Sequence, residues 1–201
     1  MLGERFGEVV DRARQGDHQA FAELWRDAHP MLLRYLRVTA REAAEDVASQ
    51  TWLRVIERLA SFRGEEPAFR RWVVTIARNT HIDGLRRAGR RPEELVADAG
   101  FERGPSAEGF ACEPDVADVV IERMSTEDAL RLIATLPRDL AEIVTLRVVV
   151  GLEPADVATI VGRSPGAVRV AVHRALRRLL TQLQSGRVTQ SALTTSSGGD
   201  A

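Results

Sequence analysis

A row of basic side chains in the last quarter of the chain has the types and spacing needed to read double-stranded DNA. Arg169, His173, Arg174 and Arg177 recur at helical spacing. Arginine can donate two parallel hydrogen bonds to guanine or to a phosphate, and a helix in the major groove presents such donors along one face. We therefore expect these residues to contact DNA from a single helix.

The residues before this row predict a helix-turn-helix over residues 154–173. Ala158 is small enough for two helices to cross closely, and Gly162 lies where the turn needs a positive φ angle. Ser164 and Pro165 suit the cap and the first turn of the second helix. The apolar residues expected on the buried side are Val157, Val161, Val168, Ala171, Val172, Ala175, Leu176 and Leu179. An arginine-rich face alone is most often only solvated, so the combination is what favours DNA binding.

A second basic set accompanies aromatic residues in the first half of the chain. Its members are Arg70, Arg71, Arg78, Arg86, Arg87, Arg90 and Arg91. Arginines that follow a backbone and rings that stack on bases are typical of surfaces for unpaired nucleic acid. Helical spacing assigns Phe69 and Trp72 to the core, which leaves Phe62, in a loop, as the better candidate for a base contact.

The composition is that of an ordinary soluble protein. The 201 residues are 44% apolar and 28% charged, and all 28 basic side chains are arginine. No apolar run is long enough to cross a bilayer, and the N-terminus lacks the apolar core of a secretory signal. We expect a cytoplasmic protein with no membrane insertion.

Catalytic and metal-binding classes find no support in the residues. Cys112 is the single cysteine and the four histidines are scattered, so we expect neither a disulfide nor a metal site. There is no phosphate-binding glycine loop and no nucleophile in a recognisable turn. Glu45 and Asp46 are adjacent and would point in different directions from a helix, which makes a poor acid–base pair. We expect a protein that is not an enzyme and needs no cofactor.

Helical periodicity predicts an all-α fold. The apolar residues that recur at helical spacing in the first block are Phe21, Leu24, Trp25, Ala28, Leu32, Leu36, Ala48, Trp52, Val55, Ile56, Leu59, Phe69, Trp72, Val73, Ile76 and Ala77. Pro30 is expected to kink or break the first long helix near His29. A boundary at residues 61–67 precedes a helix that runs to about Arg87.

The second block also predicts short helices. Ser125 suits the cap of one helix, Pro137 can occupy the first turn of another, and Gly151 can end it. The β-branched run at residues 148–150 is locally strand-like, but the flanking helical period outweighs it.

Charge divides the chain into segments. Residues 1–91 carry 17 basic and 13 acidic groups, residues 92–129 carry 2 and 11, and residues 130–201 carry 9 and 5. The predicted organisation is two small helical domains joined by a flexible acidic linker: domain 1–91, linker 92–125, domain 126–184 and a disordered tail 185–201. Because phosphates repel the linker, we expect it to lie against protein surface rather than DNA.

These motifs together resemble the sigma-70 family of bacterial RNA polymerase initiation factors, in its small extracytoplasmic-function (ECF) form. Residues 44–52 (AEDVASQTW) resemble region 2.2. Residues 62–64 with 72–80 and 83–87 resemble regions 2.3 and 2.4, and residues 136–180 resemble region 4. The resemblance implies a non-enzymatic factor that binds core polymerase through its β and β′ subunits, directs it to a promoter and helps to melt the DNA. It also implies an anti-sigma factor as a partner.

The resemblance implies a role for each set of residues. The residues implied at the −10 element, on single-stranded DNA, are Phe62, Arg63, Arg71, Arg78, Asn79, Arg86, Arg87 and Arg90. Those implied at the −35 element are Ser164, Arg169, Val170, His173, Arg174 and Arg177. Those implied in binding core polymerase are Glu45, Asp46, Gln50 and Trp52. In related factors the connector passes through the polymerase cleft and the RNA-exit path.

A stand-alone regulator is the alternative that the residues leave open. Such a protein would combine an N-terminal helical sensing domain with a DNA-binding helix-turn-helix. It would need no polymerase-binding helix and no surface for unpaired DNA, and it would usually dimerise. Co-purification with core polymerase separates the two hypotheses.

Overall fold

The computed structural model describes the backbone of residues 2–89 and 125–195, and every regular element in these ranges is helical. The helices are α1 Phe6–Arg14, α2 His18–Thr39, α3 Ala44–Arg58, α4 Glu66–Arg87, α5 Thr126–Ile133, α6 Arg138–Val144, α7 Pro154–Val161 and α8 Pro165–Thr195. The predicted all-α class is confirmed. The acidic linker, apart from Ser125, and the candidate Arg90 lie outside the described residues, so their predicted roles remain predictions.

The first domain forms because α1 to α4 each bury one apolar face in a shared core. Helix α1 packs on α2, α2 packs on α3, and α3 packs on α4. Asp17 begins α2 by accepting hydrogen bonds from the backbone amides of Gln19 at 2.8 Å and Ala20 at 3.1 Å. The side chain of Arg12 also donates to this carboxylate, and these contacts hold the pKa of Asp17 below its ordinary value.

Helix α2 continues through Pro30, so the predicted break is wrong. Proline lacks the N–H that would bond to the carbonyl of Arg26, which removes one hydrogen bond from the helix. Ala28 and Leu32, on either side, are both buried in the core. Packing of the apolar face therefore outweighs the missing hydrogen bond.

The second domain begins at a capped helix, as predicted. The hydroxyl of Ser125 accepts from the amide of Asp128 at 3.1 Å. Pro137 immediately precedes α6, and a π-helical turn, Thr145–Val149, continues it. The β-branched run is thus helical rather than extended. Gly151, with φ of 77°, follows the π turn.

The C-terminal helix is longer than the sequence predicts. Helix α8 extends to Thr195, beyond residue 185, where the tail was expected to begin. Residues 196–201 lie outside the described residues.

The two domains share one apolar core. Helix α2 of the first domain contacts α5, α6 and the π turn of the second. Tyr35 of α2 is only 1% exposed, and its hydroxyl donates to the carboxylate of Glu142 in α6. The structure therefore shows a docked arrangement of the domains, which the sequence does not predict.

Candidate nucleic-acid interface

The helix-turn-helix has the geometry that its sequence predicts. Helix α7 ends at Gly162, whose φ of 68° and ψ of 39° lie in the left-handed region. Ser164 then accepts a hydrogen bond from the amide of Ala167 at 3.2 Å, which caps the start of α8. Ala158, at the crossing of the helices, is buried. This turn sets the direction in which α8 leaves the domain.

Helix α8 separates an apolar side from a basic side. The residues buried in the core are Val168, Ala171, Val172, Ala175 and Leu179. Arg169, Arg174 and Arg177 are exposed, whereas Val170 and His173 between them are partly buried. Exposed guanidinium groups along one helix suit base edges and phosphates of the major groove.

An ion pair holds the turn of this motif to the rest of its domain. Arg163, which follows the left-handed glycine, donates to the carboxylate of Asp139 in α6 at 2.6 Å. Burial raises the pKa of Asp139 above its ordinary value, and the negative charge of Glu142 acts in the same direction, while Arg163 opposes both. Arg163 therefore stabilises the charged form of this partly buried carboxylate.

A second basic surface lies between α3 and α4 and forms a shallow groove. Its lining residues are Arg54, Arg58, Arg78, Asn79, Ile82, Asp83 and Arg86. Arg54 pairs with Asp83 at 3.5 Å, and Arg86 lies 3.8 Å from the same carboxylate. The groove brings together Arg78, Asn79 and Arg86 as the sequence analysis expects.

The sequence analysis missed Arg54 and Arg58, although a signal for them was available. They are four residues apart in α3, so they lie on the same helix face. That face points toward α4, whose arginines had been considered alone. Pairing the two helices would have identified both residues.

The other described arginines of the first domain that were predicted to contact DNA do not line this groove. Arg87 is exposed beside the groove, and Arg63 is exposed in the loop before α4. Arg71 is exposed but pairs with Asp156 of α7. Arg70, part of the wider basic set, donates to the buried carboxylate of Glu66 at 2.6 Å and so has a structural partner.

Phe62 is a core residue, so its prediction as a loop residue available to a base is corrected. Its side chain is only 6% exposed. The ring lies 5.3 Å from that of Phe69 and 5.0 Å from that of Trp72, measured between centroids. The loop folds back because Gly64 adopts a φ of 137° and brings its backbone close to Ala68. Trp72 is the more exposed ring of this cluster.

Trp52 is likewise a core residue and is not available to a partner protein. It is 6% exposed, and its indole Nε1 donates to Nδ1 of His29 at 3.1 Å. Glu45, Asp46 and Gln50 are all exposed on α3, as the sequence predicts.

The outer face of α3 carries exposed apolar residues, which the sequence analysis does not identify as a surface. Leu53 is 62% exposed and Ile56 is 54% exposed. Trp25 of α2 is also exposed, and its ring stacks on that of His29. Asp46, Leu53 and Ile56 follow one side of α3 at helical spacing. Exposed apolar side chains grouped in this way are typical of protein-binding surfaces.

Comparison with known families matches each of the two domains to a region of one family. Residues 24–91 match the family model described as Sigma-70 region 2, and residues 126–179 match Sigma-70, region 4. The chain belongs to the sigma-70 family. Region 2 thus contains α2 to α4 with their groove, and region 4 contains the helix-turn-helix. The region 2 match favours a sigma factor over the stand-alone regulator.

Curated relatives show that this sigma factor is of the ECF type. It is 34% identical over 197 residues to the ECF RNA polymerase sigma factor SigD of Mycobacterium tuberculosis H37Rv, covering 91% of this chain and 86% of SigD. It is 33% identical over 181 residues to the ECF RNA polymerase sigma factor BldN of Streptomyces coelicolor, covering 87% of this chain and 64% of BldN. The protein is an RNA polymerase sigma factor.

Solved structures share its fold. CnrH, in complex with the cytosolic domain of CnrY, superposes with a TM-score of 0.57 at 20% identity, over 90% of this chain and 99% of that one. The sigma factor RpoE of Bartonella quintana, in complex with the anti-sigma factor NepR, gives 0.57 at 23% identity, over 82% and 96%. Among the described helices of this sigma factor, none is long and apolar enough to span a membrane. Within the same residues there is no group of metal-ligating side chains.

Proposed function

We propose that this ECF sigma factor divides promoter recognition and polymerase binding among three separate surfaces. The observation that supports this division is the presence of two arginine surfaces in different domains. One lies on a helix-turn-helix and the other lines a groove between α3 and α4. The outer face of α3 is a third surface, which carries exposed apolar and acidic side chains instead of arginines.

Helix α8 is proposed to read the −35 element in the major groove of double-stranded DNA. Arg169, Arg174 and Arg177 are exposed on the side opposite the buried stripe. Val170 and His173 lie between them and can contact a base edge or a thymine methyl. Ser164 caps the helix and, at its N-terminus, can approach a phosphate.

The groove of region 2 is proposed to hold the unpaired strand of the −10 element. Asn79 lines this groove and is exposed, so its amide can donate to and accept from a base edge. Arg54, Arg58 and Arg86 line the same groove, and we expect them to hold the phosphates of this strand. Trp72, rather than Phe62, is the ring available for stacking.

The outer face of α3 is proposed to bind core RNA polymerase, through its β and β′ subunits. Asp46 and Gln50 supply polar contacts on this face. Leu53 and Ile56 supply apolar area that no part of the described chain covers. Burial of such residues is a principal source of binding free energy at protein interfaces.

The proposed partners are core polymerase, promoter DNA and an anti-sigma factor, and the proposed location is the cytoplasm. This chain shares the fold of CnrH, solved in complex with the cytosolic domain of CnrY, and of RpoE, solved in complex with the anti-sigma factor NepR. These complexes support an anti-sigma factor as a partner. The synthesis of RNA belongs to the polymerase, and no enzymatic step is assigned to this chain.

Reconstituted transcription tests the proposal. Core polymerase is mixed with this protein and with fragments of the genome that encodes it, and the new 5′ ends are mapped. We expect initiation at a defined set of sites that core polymerase alone does not use. Binding to DNA with no initiation on any fragment would contradict the proposal.

Two charge variants test the assignment of surfaces. Asp46→Arg should weaken the complex with core polymerase, while Glu153→Arg, an equal change on the exposed surface of region 4, should not. Arg54→Gln should reduce permanganate reactivity of thymines in the melted −10 strand, relative to Arg34→Gln, a matched loss of charge on α2. Equal effects of each variant and its control would contradict the assignments.

A further inference from the structure

A cavity of about 240 Å³ lies where the two domains meet. Its lining comes from α2 and α4 of region 2, and from α6 and the residues just before it in region 4. Val38, Leu136 and Ile143 supply apolar walls, and all three are buried. Charges beside buried apolar side chains lie in a medium of lower dielectric constant than water, which strengthens their attraction for an opposite charge.

Arginine dominates the charged lining of this cavity. Five arginines and two carboxylates line it, which leaves an excess of three positive charges. Glu142 accepts from Nε of Arg78 at 2.9 Å, and Asp139 accepts from Arg163 at 2.6 Å. Both carboxylates are therefore already paired, and the excess charge belongs to the other three arginines, which are Arg41, Arg86 and Arg138.

These three arginines come from three different elements. Arg41 follows α2, Arg86 lies in the last turn of α4, and Arg138 begins α6. Within the described part of the chain, no carboxylate forms an ion pair with Arg41 or Arg138, while Arg86 lies 3.8 Å from Asp83. Donors that come from several directions suit a tetrahedral phosphate, which has three acceptor oxygens, better than a planar carboxylate, which has two.

His81 lines the same cavity and has one unsatisfied ring nitrogen. Its Nε2 is buried and has no hydrogen-bond partner among the described residues, while its ring also bonds to the backbone of Thr39. Buried polar atoms are nearly always hydrogen-bonded, so a ligand in this cavity would satisfy a group that the protein itself leaves unpaired. When the imidazole is protonated, Nε2 can donate to an anion.

We propose that this cavity binds a diphosphate group, either as inorganic pyrophosphate or as part of a nucleoside diphosphate, through Arg41, Arg138 and His81. Two phosphates carry roughly three to four negative charges at neutral pH, which is enough to balance the excess on the arginines. The cavity is smaller than the roughly 300–1,000 Å³ of pockets that hold drug-sized ligands, which agrees with a compact anion. Arg41 and Arg138 do not line the groove between α3 and α4, so this site is separate from the one proposed for the −10 strand.

Titration of the full chain with pyrophosphate tests the site. Isothermal titration calorimetry, in metal-free buffer of fixed ionic strength, compares the unmodified protein, the variant Arg41→Gln with Arg138→Gln, and the control Arg34→Gln with Arg178→Gln. The control removes one exposed arginine from each domain outside the cavity. We expect the Arg41→Gln, Arg138→Gln variant to bind about tenfold more weakly than the control, because two charge-assisted hydrogen bonds are lost. Equal affinities of variant and control, or no binding to the unmodified protein, would overturn the proposal.

Two further ligands define the chemical class. ADP carries a diphosphate group on a nucleoside, so tighter binding of ADP than of pyrophosphate assigns the site to a nucleoside diphosphate, and the reverse order assigns it to the free anion. Citrate presents carboxylates of similar total charge and should bind more weakly than pyrophosphate. Citrate binding as tight as that of pyrophosphate would contradict the assignment to phosphate.

Nuclear magnetic resonance of the histidine rings locates the bound anion. Pyrophosphate should shift the ring signals of His81, assigned with His81→Gln, and not those of His18, which is exposed at the start of α2. Unshifted His81 signals would overturn the inference.

Binding of single-stranded DNA distinguishes this site from the groove of region 2. Arg54→Gln should weaken DNA binding and retain pyrophosphate binding, whereas Arg41→Gln with Arg138→Gln should do the reverse. Loss of both ligands together in each variant would identify all three arginines as nucleic-acid contacts and overturn the proposal. Pyrophosphate binding is measured without transcription, so failure of the proposed function leaves this result interpretable.

Discussion

Arg163 and Asp139 join the turn of the helix-turn-helix to α6 through a 2.6 Å ion pair. The pair couples the orientation of the DNA-binding helix to the body of region 4. Because burial raises the pKa of Asp139, the guanidinium of Arg163 stabilises the charged form of this carboxylate.

Replacing Arg163 with Gln should therefore destabilise region 4. We expect a loss of about 1–3 kcal/mol at neutral pH, the cost of leaving a partly buried charged group without its partner. The pKa of Asp139 should rise further in the variant. A carboxyl whose pKa is higher in the folded state loses its stabilising contribution as pH rises through that value, so the penalty should shrink in acid. Urea denaturation followed by circular dichroism at neutral and acid pH measures this, and a penalty that grows in acid would contradict it.

The left-handed conformation of Gly162 predicts a graded response to substitution. A Cβ at this position would meet no atom within 4 Å, so only the backbone conformation opposes a side chain. Gly162→Ala should cost about 1 kcal/mol of unfolding free energy, and Gly162→Asn should cost less because asparagine tolerates positive φ. Chemical denaturation of both variants checks the order. An alanine variant as stable as the unmodified protein would show that the turn adopts another conformation.

Arg169 should contribute to sequence recognition and not only to charge. Its replacement by Ala should weaken binding of holoenzyme to a −35 duplex by about 1–3 kcal/mol if the contact is bidentate to a base, and should relax preference at one position. Arg178→Ala removes an exposed arginine from the same helix outside the proposed face. Titration of promoter and base-substituted duplexes separates the two variants. A uniform loss across all duplexes would identify Arg169 as a phosphate contact.

His81 provides a local reporter of docking. It is half-buried beside a cavity at the domain interface, whose charged lining residues are Arg41, Arg78, Arg86, Arg138, Arg163, Asp139 and Glu142. Burial lowers the pKa of His81, and the charge of Arg138 lowers it further, while Glu142 and a hydrogen bond to the Thr39 backbone oppose both. Protonation should thus favour separation of the two domains, so the contact between them should weaken as pH falls through the ordinary histidine range.

In the Glu142→Gln variant, the direction of the change in the pKa of His81 distinguishes loss of one charge from separation of the domains. Loss of the carboxylate alone would lower the pKa of His81, whereas separation of the domains removes burial and Arg138 and would raise it. We expect the rise. Nuclear magnetic resonance of the ring, assigned with His81→Gln, distinguishes the two directions.

Local sequence signals predicted the parts of the site that depend on local geometry. The cap at Ser164, the glycine at 162 and the period of apolar residues fix the helix-turn-helix within a short segment, and all three are found as expected. Phe62 and Trp52 differ because their burial depends on which neighbouring helix covers each ring. Spacing within one helix does not contain that information.

Contacts between distant segments could not be predicted from the sequence for the same reason. Tyr35 and Glu142 are 107 residues apart, and neither residue alone indicates a partner. The exposure of Ile56 also depends on tertiary packing, since helical spacing permits either a buried or an outward position. Identification of these features requires the relative placement of α2, α3 and α6.

The carboxylates paired with Arg71 and Arg78 should also affect how the free protein binds chromosomal DNA. Nonspecific affinity for DNA grows with the number of phosphates a protein neutralises, and each such contact steepens its dependence on salt. Two arginines held in internal ion pairs remove about two contacts from that number. We therefore expect the unbound factor to spend less time on nonspecific DNA than a variant in which these two arginines are unpaired.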